Sequence, residues 1–339
     1  MAAPIPTVPR ILPAAATPFL WSVMIPCYNA PPDYLAATLR SVLQQDPGRE
    51  LMQIEVIDDA SPNGAPVELV KKIAGDRVTV QREEKNRGLA GIWNRCIERA
   101  QGRWVHILHQ DDLVRPGFYE KFKVGAESPA APGLMYCRHA FIDGQGKLGW
   151  LSDLEAEQPG CLPDALPRQV RKQLIQTPSV VVRRAAYEAV GGFRSDLCFT
   201  LDWEMWCRLA QKFPLWCEPE VLAHYRLHAG AETSRLRLAG QDIEDVCKCI
   251  EIISGYIADP ATAADARRAA RRRYALLALG NAENLILKKE FQAAGRQVRG
   301  ALKCEVSPPV ARQILRLALL AAKFPVKKSK PMSCLQGEA

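Results

Sequence analysis

The stretch Ile54-Glu-Val-Ile-Asp-Asp-Ala-Ser-Pro-Asn-Gly64 joins an apolar run suited to a buried strand to a cluster of residues that favour a loop. A short apolar run bounded by turn-forming residues predicts such a strand. The same order, an apolar run and then a polar loop, recurs over residues 21–29 and 104–112. Repetition of this unit predicts several strands that each end in a polar loop.

Helical periodicity separates these strands. Leu35, Leu39 and Val42 are spaced to lie on one face of a helix, with Asp33 as its expected N-cap. Further helices are predicted over about 66–74 and 89–101, with a strand over 78–81 between them. Strands that alternate with helices predict an α/β fold with a mostly parallel sheet and helices on both faces. In such sheets ligands bind beyond the carboxyl ends of the strands.

The second half of the chain has a different pattern. Strands are predicted over 134–142, 177–183 and 221–228, and a helix over 201–208. Residues 151–168 are rich in Pro and polar residues, which predicts a mobile loop. Beyond Gly240 the chain is rich in Ala, Leu and Arg, which predicts a helical extension.

Length and composition exclude several classes of protein. The 339 residues are 48% apolar and 24% charged, which rules out a disordered, collagen-like or disulfide-stapled chain. The longest apolar run, residues 317–322, is far shorter than the ~20 residues of a membrane span. Residues 1–19 lack the basic start and apolar core of a signal peptide and are predicted to form a flexible tail. The eleven cysteines form no Cys-x-x-Cys pair, which favours reduced thiols in a cytoplasm.

Two pairs of carboxylates follow predicted strands. Asp58 and Asp59 end the second strand, and Asp111 and Asp112 end the strand that begins at Trp104. Carboxylates that meet at one edge of a sheet repel each other unless they bind a cation or accept hydrogen bonds. A divalent metal and a nucleotide or polyhydroxylated ligand would satisfy both needs. The alternative for each residue is a turn former or a helix cap.

Seven short motifs in order resemble glycosyltransferase family 2 over about residues 20–235. They are Ser22-Val-Met-Ile-Pro-Cys-Tyr-Asn29, Glu55-Val-Ile-Asp-Asp-Ala-Ser61, Asn86-Arg-Gly88 with Asn94, His109-Gln-Asp-Asp112, Gly191-Gly-Phe193, Asp202-Trp-Glu204 and Tyr225-Arg-Leu-His228. The resemblance implies a GT-A fold with a Rossmann-like sheet. It also implies a nucleotide-sugar-binding half (20–127) and an acceptor-binding half (128–235). The predicted basic helical region (236–339) lies outside the resemblance.

The resemblance implies a site for Mn²⁺ or Mg²⁺. Asp112 would be the main ligand, with Asp111 shared between the metal and the ribose of the donor. His109 stands where relatives usually have the first acidic residue of this motif, which leaves the number of ligands open. His228 resembles a histidine that completes the metal or diphosphate contact. Its alternative role is a strand-end histidine bonded to a backbone carbonyl.

The resemblance also assigns residues to the nucleotide-sugar donor. Asp59 would accept the N3–H of a pyrimidine base, and the ring of Tyr28 would lie near that base, so the donor is expected to be UDP- or dTDP-linked. A turn aspartate and a half-buried tyrosine are the alternatives. The remaining predicted donor residues are Pro26, Asn29, Asp58, Asn86, Gly88, Asn94 and Asp111.

Asp202 resembles the catalytic base of the family. An inverting transfer needs one carboxylate to take the proton from the attacking acceptor hydroxyl. A plain helix cap is the alternative. Trp203 and Glu204 are predicted to bind the acceptor; core packing of Trp203, and a bond from Glu204 to a basic neighbour, are their alternatives.

The net charge of +8 is unevenly distributed. From Arg267 onward there are 16 basic and four acidic residues, so this end has a charge of +12 and the remainder −4. Within 309–324, Arg312, Arg316 and Lys323 fall within about 40° on a helical wheel, and Lys327-Lys-Ser-Lys330 follows. A basic amphipathic helix over 309–330 would bind an anionic membrane surface; a helix packed on the body is the alternative. Nucleic acid is disfavoured because no aromatic residues are interleaved for stacking.

Together these features predict a metal-dependent inverting glycosyltransferase of bacterial surface polysaccharide or glycolipid synthesis. It would be cytoplasmic, peripheral on the inner face of the cell membrane, and act on a glycan or lipid-linked acceptor. A nucleotidyltransferase would need a Gly-rich phosphate loop with a basic residue after the first strand, and Pro26-Cys-Tyr-Asn29 has none. A non-catalytic scaffold that binds sugar nucleotides should lack Asp112 or Asp202, and both are present.

Overall fold

The computed structural model describes residues 8–13 and 19–324. Within them a single mixed sheet has the strand order β3-β2-β1-β4-β9-β6-β10-β5, with β7 paired to β6 and β8 to β10. Strands β3, β2, β1 and β4 run parallel, whereas β9 is antiparallel to both of its neighbours. The strands are β1 Trp21–Cys27, β2 Met52–Asp58, β3 Thr79–Arg82, β4 Trp104–Ile107, β5 Leu113–Val114, β6 Leu134–Ile142, β7 Leu148–Leu151, β8 Gly160–Cys161, β9 Val180–Arg183 and β10 Leu215–Arg226.

Helices cover both faces of this sheet, which confirms the predicted α/β fold with a helical C-terminal region. Alternate residues of β1 separate the two faces: Val23 and Ile25 belong to one hydrophobic cluster, and Met24 belongs to the other. The helices of the described chain are α1 Pro32–Leu43, α2 Val67–Ala74, α3 Gly88–Arg99, α4 Phe118–Ala126, α5 Ala165–Arg171, α6 Arg184–Val190, α7 Leu201–Ala210, α8 Glu232–Ala239, α9 Gln241–Ser254, α10 Pro260–Leu287, α11 Phe291–Cys304 and α12 Pro308–Ala322.

Three local predictions need correction. Helix α1 starts at Pro32, whose fixed φ suits the first helical position, so Asp33 lies inside the first turn and is not the N-cap. The predicted mobile loop over 151–168 contains the end of β7, all of β8 and the start of α5. The predicted strand over 177–183 begins with a 3₁₀ turn, Thr177–Ser179, before β9.

The prediction of a flexible tail over residues 1–19 is wrong for its described part, residues 8–13. Ile11 is buried in the cluster that also contains α3 and α7. The backbone is fixed as well, because Pro9 O accepts from Gly192 N at 2.7 Å and Leu12 O accepts from the guanidinium of Arg184 at 3.1 Å. Richness in Pro and Ala indicated a loose tail, but one apolar side chain is enough to anchor it.

The C-terminal helices pack on the body. Helices α9 to α12 share a hydrophobic cluster with α3, α7 and one face of the sheet, and the predicted boundary at residue 235 falls inside α8. Helix α12 is held through buried Val310 and Leu317. Lys327-Lys-Ser-Lys330 lies outside the described residues. Over the part of the chain that the structure describes, no helix has the length and apolarity of a membrane span.

Candidate active site

The loops that follow β1, β2 and β4 meet at the carboxyl edge of the parallel strands and are bonded to each other. Gln110 forms two bonds to Tyr28: its Oε1 accepts from the backbone N at 2.8 Å, and its Nε2 donates to the backbone O at 3.2 Å. Asn29, in the left-handed region at φ 47°, donates its N–H to Ser61 Oγ at 2.9 Å. These bonds leave the half-exposed ring of Tyr28 at the mouth of the site.

Asp58 fixes the loop that follows β2. Its side chain is buried, and its carboxylate accepts from the backbone N of Ser61 at 3.1 Å and from the Ser61 hydroxyl. It also pairs with Arg82 at 2.8 Å. Both oxygens therefore have protein partners, so Asp58 holds the loop after β2, and its contact with the donor stays a prediction.

Asp59 lies beside Asp58 and points to the start of α3. Its carboxylate accepts from Arg87 N at 2.7 Å, and burial raises its pKa against the effect of that bond. Asn86 bonds the same loop through Asp59 O at 3.2 Å, and its side-chain oxygen accepts from Gly88 N at 3.0 Å. The predicted donor residues Asp59, Asn86 and Gly88 are therefore one local unit.

His109, Asp111 and Asp112 form a cluster after β4, with one potential ligand atom each within 4.8 Å of one another. Asp112 is buried; its Oδ1 accepts from Arg226 N at 2.8 Å, whereas its Oδ2 has no hydrogen-bond partner and lies 3.5 Å from His109 Nδ1. His109 Nε2 is likewise buried without a partner. Buried polar atoms are almost always satisfied, so these atoms fit a divalent cation held by carboxylate oxygens and an imidazole.

The charge state of this cluster follows from its burial. Burial raises the pKa of Asp112 to about 6, and the charge of Asp111 adds to the effect. Burial opposes the charged form of His109, but its contact with Asp112 and the charges of both aspartates outweigh burial and raise its pKa. A cation would relieve the repulsion between the two carboxylates.

His228 lies just beyond β10 and bonds a side chain of the cluster, not a backbone carbonyl. Its Nε2 is 2.8 Å from Asp111 Oδ2, and its ring packs edge-on against Tyr34. Arg226 supports the same aspartate by donating from Nε to Asp111 O at 2.8 Å, with its guanidinium over the Tyr34 ring. The predicted metal ligand His228 therefore orients Asp111, and ligation by His228 itself stays a prediction.

Asp202 lies in the first turn of α7, where Thr200 takes the N-cap position. One carboxylate oxygen accepts from Gln173 Nε2 at 2.7 Å and the other from Trp203 N at 2.7 Å. Burial raises its pKa to about 6, opposed in part by that backbone bond and by the nearby charge of His109. The predicted base is thus a buried carboxylate near the metal-type cluster, which consists of His109, Asp111 and Asp112.

Trp203 and Glu204, predicted to bind the acceptor, are both buried and have protein partners, as in the alternatives of core packing and a bond to a basic neighbour. Trp203 is fully buried, donates its indole N–H to Gln169 O at 2.6 Å and packs against Tyr274. Glu204 forms a buried pair with Arg208 at 2.9 Å. The environment of α7 explains both positions, since nine of the ten residues of this helix are buried.

Asn94, predicted to bind the donor, is buried on α3 and bonds the backbone of another loop. It accepts from Phe193 N at 2.6 Å and donates to Phe193 O at 3.0 Å. A Cβ on Gly192 would lie 2.3 Å from Asn94 Oδ1, which explains the glycine in that motif. Asn94 therefore holds the Gly-Gly-Phe loop in place, and Pro26 is likewise a buried residue of β1.

Four residues escaped prediction: Ser61, Gln110, Gln173 and Arg226. Three of them lie inside or at the end of the quoted motifs. A polar side chain next to predicted site residues is a signal that it bonds one loop of the site to another. Gln173 lies in a segment with no motif, and only the fold brings it to Asp202.

Comparisons with known proteins agree with this geometry. Residues 22–191 match the profile of Glycosyl transferase family 2. A protein of Mycobacterium tuberculosis is 28% identical over 262 residues, covering 74% of this chain and 80% of that protein. The putative teichuronic acid biosynthesis glycosyltransferase TuaG of Bacillus subtilis is 39% identical over 105 residues, covering 30% of this chain and 40% of the relative.

Two groups of solved structures share the fold. The structure of Staphylococcus aureus TarS in complex with UDP-GlcNAc has a TM-score of 0.64 at 16% identity, covering 89% of this chain and 87% of that one. The mannosyltransferase PcManGT of Pyrobaculum calidifontis, in complex with GDP-Man and Mn²⁺, has a TM-score of 0.55 at 19% identity, covering 92% and 84%.

Proposed function

The chain belongs to glycosyl transferase family 2, and on that premise we propose that it transfers a sugar with inversion from a UDP- or dTDP-linked donor to an acceptor hydroxyl. The observation that carries the proposal is the cluster of His109, Asp111 and Asp112, with one potential ligand atom each within 4.8 Å of one another and with no hydrogen bond to buried Asp112 Oδ2. A second buried carboxylate, Asp202, lies near His109. The cluster around Asp112 suits a cation, and Asp202 suits a proton. Binding a cation and accepting a proton are the two requirements of such a transfer.

His109, Asp111 and Asp112 would hold Mn²⁺ or Mg²⁺, which when bound neutralises charge on the diphosphate leaving group. Asp59 would accept the N3–H of the base, while Tyr28 and Asn29 line the same edge. Asp202 would take the proton of the acceptor hydroxyl as its oxygen attacks the anomeric carbon opposite the departing nucleoside diphosphate. Gln173 would hold the Asp202 carboxylate in orientation through its bond of 2.7 Å.

We infer a role in surface polysaccharide synthesis, because relatives named for teichuronic acid and succinoglycan biosynthesis match the chain. The UDP-GlcNAc of the TarS structure and the GDP-Man and Mn²⁺ of the archaeal one support a nucleotide-sugar donor and a metal. A nucleotidyltransferase or a non-catalytic scaffold would bind the same nucleotides without transfer to a hydroxyl.

Thermal stabilisation and product analysis test the proposal together. With MnCl₂ present, one UDP- or dTDP-sugar of a panel should raise the free energy of unfolding by about 2.7 kcal/mol at a hundredfold excess over its Kd. The same sugar should then appear on an acceptor, with its anomeric configuration inverted in the NMR spectrum. In an Asp112→Asn variant, the part of this stabilisation that depends on MnCl₂ should be lost. Stabilisation without transfer to any hydroxyl would favour the scaffold, and retention of configuration would contradict the mechanism.

Helix α12 supports attachment to an anionic membrane at the cytoplasmic face, where lipid-linked acceptors would be. Leu315 and Leu319 are 64% and 65% exposed, next to exposed Arg312, Arg316 and Lys323. The helix thus packs on the body with one side and offers leucines and basic residues on the other. Phosphatidylglycerol vesicles should float with the protein, phosphatidylcholine vesicles should not, and Arg312→Glu/Arg316→Glu should stop flotation while Arg272→Glu on α10 does not. Equal flotation of both variants would contradict this attachment.

A further inference from the structure

Trp150 is exposed where every other tryptophan of the chain is buried. The other six tryptophans are at most 9% exposed, whereas Trp150 is 58% exposed on β7. All four residues of β7 are exposed, so the strand presents an open surface and not a groove. Leu148 and Leu151 of the same strand are 58% and 44% exposed, so Trp150 belongs to an exposed apolar patch, and such patches mark interaction sites.

The indole of Trp150 continues a row of rings that crosses three strands. It stacks on Phe141 of β6 with centroids 4.7 Å apart and an interplanar angle of 22°. Phe141 in turn contacts Tyr225 of β10 edge-on at 5.7 Å, and the two residues are direct partners in the strand register. The row is therefore fixed by strand pairing, and its outer end is the exposed face of Trp150.

The inner end of the row reaches the candidate active site. Tyr225 precedes Arg226, whose backbone N–H bonds Asp112. Burial raises the pKa of Tyr225, and the charges of Asp112, Asp111 and Asp202 add to the effect. The turn between β6 and β7 is tied to the same place, since Asp143 O accepts from the guanidinium of Arg226 at 3.2 Å.

We propose that Trp150, stacked on Phe141, is a subsite for a sugar ring of the acceptor, one or two residues from the reacting hydroxyl. One face of a pyranose ring carries mainly C–H groups, and such a face packs on an indole with its hydroxyl groups in water. A lipid chain would suit a groove better than this open strand. The proposal rests on the proposed function, because it assigns the acceptor of the same site.

Fluorescence tests the subsite without turnover. Trp150 is the exposed indole, so iodide should quench it selectively, and a bound sugar should protect it. The probes are chitotetraose, cellotetraose and maltotetraose, each with UDP and MnCl₂ present. Protection by one of them in the native chain, lost in Trp150→Phe together with the quenchable signal, is the expected result. No protection by any probe would overturn the proposal.

Kinetics separate the subsite from a structural role of Trp150. For the best acceptor, Trp150→Ala should raise KM about tenfold with little change in kcat, and Trp150→Phe should recover most of the affinity. Leu277→Ala on α10 removes a side chain that is 48% exposed and should leave KM as it is. Equal KM values for Trp150→Ala and the native chain would overturn the subsite and leave the proposed function standing. Absence of transfer in the native chain would refute the function, while the fluorescence result still decides the sugar site.

Discussion

Two Asp-Asp pairs end neighbouring parts of the same sheet, and their buried aspartates differ in how their oxygens are bonded. Asp58 and Asp112 are both buried, and each is next to a second aspartate in the chain. Asp58 has protein partners on both oxygens, from Ser61 and Arg82. Asp112 has one hydrogen-bond partner, the backbone N–H of Arg226, and its other oxygen contacts only His109 Nδ1, at 3.5 Å.

This difference separates a carboxylate that stabilises the fold from one that the fold keeps available. An unsatisfied buried oxygen costs about 1–3 kcal/mol, and the nearby His109 nitrogen is unsatisfied as well. A ligand that bonds Asp112 Oδ2 would remove the cost of leaving this oxygen without a hydrogen bond. The same dipeptide thus has two roles, which substitution can separate.

The largest effect is expected at Asp112. Asp112→Asn should lower transfer by about 10³–10⁴-fold, because a metal ligand is lost where the charge of the leaving group is neutralised. Its stability should be equal or higher, since burial already raises the pKa of this carboxyl to about 6. Steady-state rates over a MnCl₂ titration and urea unfolding measure the two parts. Asp76→Asn, an exposed carboxylate paired with Arg49, is the control. If Asp112→Asn kept full activity, Asp112 would not be a metal ligand and would not differ from Asp58 in function.

The next effect is expected at Asp202, a third buried carboxylate. Both of its oxygens accept hydrogen bonds, and in the proposed reaction one of them must take a proton from the acceptor. Asp202→Asn should lower kcat by about 10²–10³-fold. In the native chain the base works ionised, so kcat should fall as the pH drops through about 6. If kcat stayed constant between pH 5 and pH 7, about one unit either side of this pKa, the assignment of Asp202 as the base would be contradicted.

The stability of the native chain should depend on pH in the opposite direction from kcat: the ionised Asp202 that the reaction needs at high pH is the form that destabilises the fold. A carboxyl whose pKa is raised in the folded state holds its proton more tightly there, so protonation stabilises the fold at low pH and this is lost as the pH rises from 3.8 through about 6. The neutral asparagine should therefore raise the free energy of unfolding at pH 7.5 by up to about 3 kcal/mol. The gain should vanish below the pKa of the unfolded chain.

Sequence motifs predicted the sheet, the carboxylate clusters and their loops, because apolar runs and turn residues are local signals. They could not separate Asp58 from Asp112, since the partners Arg82 and Arg226 lie on other strands that only the fold brings to them. The burial of Trp203 was missed for a related reason: the pattern predicts its helix but not how many sides of that helix are covered. The stacking of Trp150 on Phe141 depends on strand pairing, which the sequence did not reveal.

A smaller effect, on stability, is expected at Asp58. Asp58→Asn should lower the free energy of unfolding by about 2 kcal/mol, because it weakens the bonds to Ser61 and leaves Arg82 without its partner. Asp76→Asn, whose pair with Arg49 is exposed, should change stability by less than about 0.5 kcal/mol. Urea unfolding measures both. If Asp58→Asn abolished transfer at unchanged stability, Asp58 would be a ligand like Asp112, and the two pairs would be equivalent.

The smallest effect is expected at Asp59, the buried neighbour of Asp58. Asp59→Ala should raise the Kd of UDP about tenfold by removing the acceptor for the pyrimidine N3–H. It should also cost about 1 kcal/mol of stability, because Asp59 accepts from Arg87 N at the start of α3. N3-methyl-UDP, which has no N3–H, separates these parts. The native chain should bind it about tenfold more weakly than UDP, and Asp59→Ala should bind both alike, which is the coupling a direct contact requires. If N3-methylation weakened binding equally in both proteins, the base would be bound elsewhere and Asp59 would serve the loop alone, as Asp58 does.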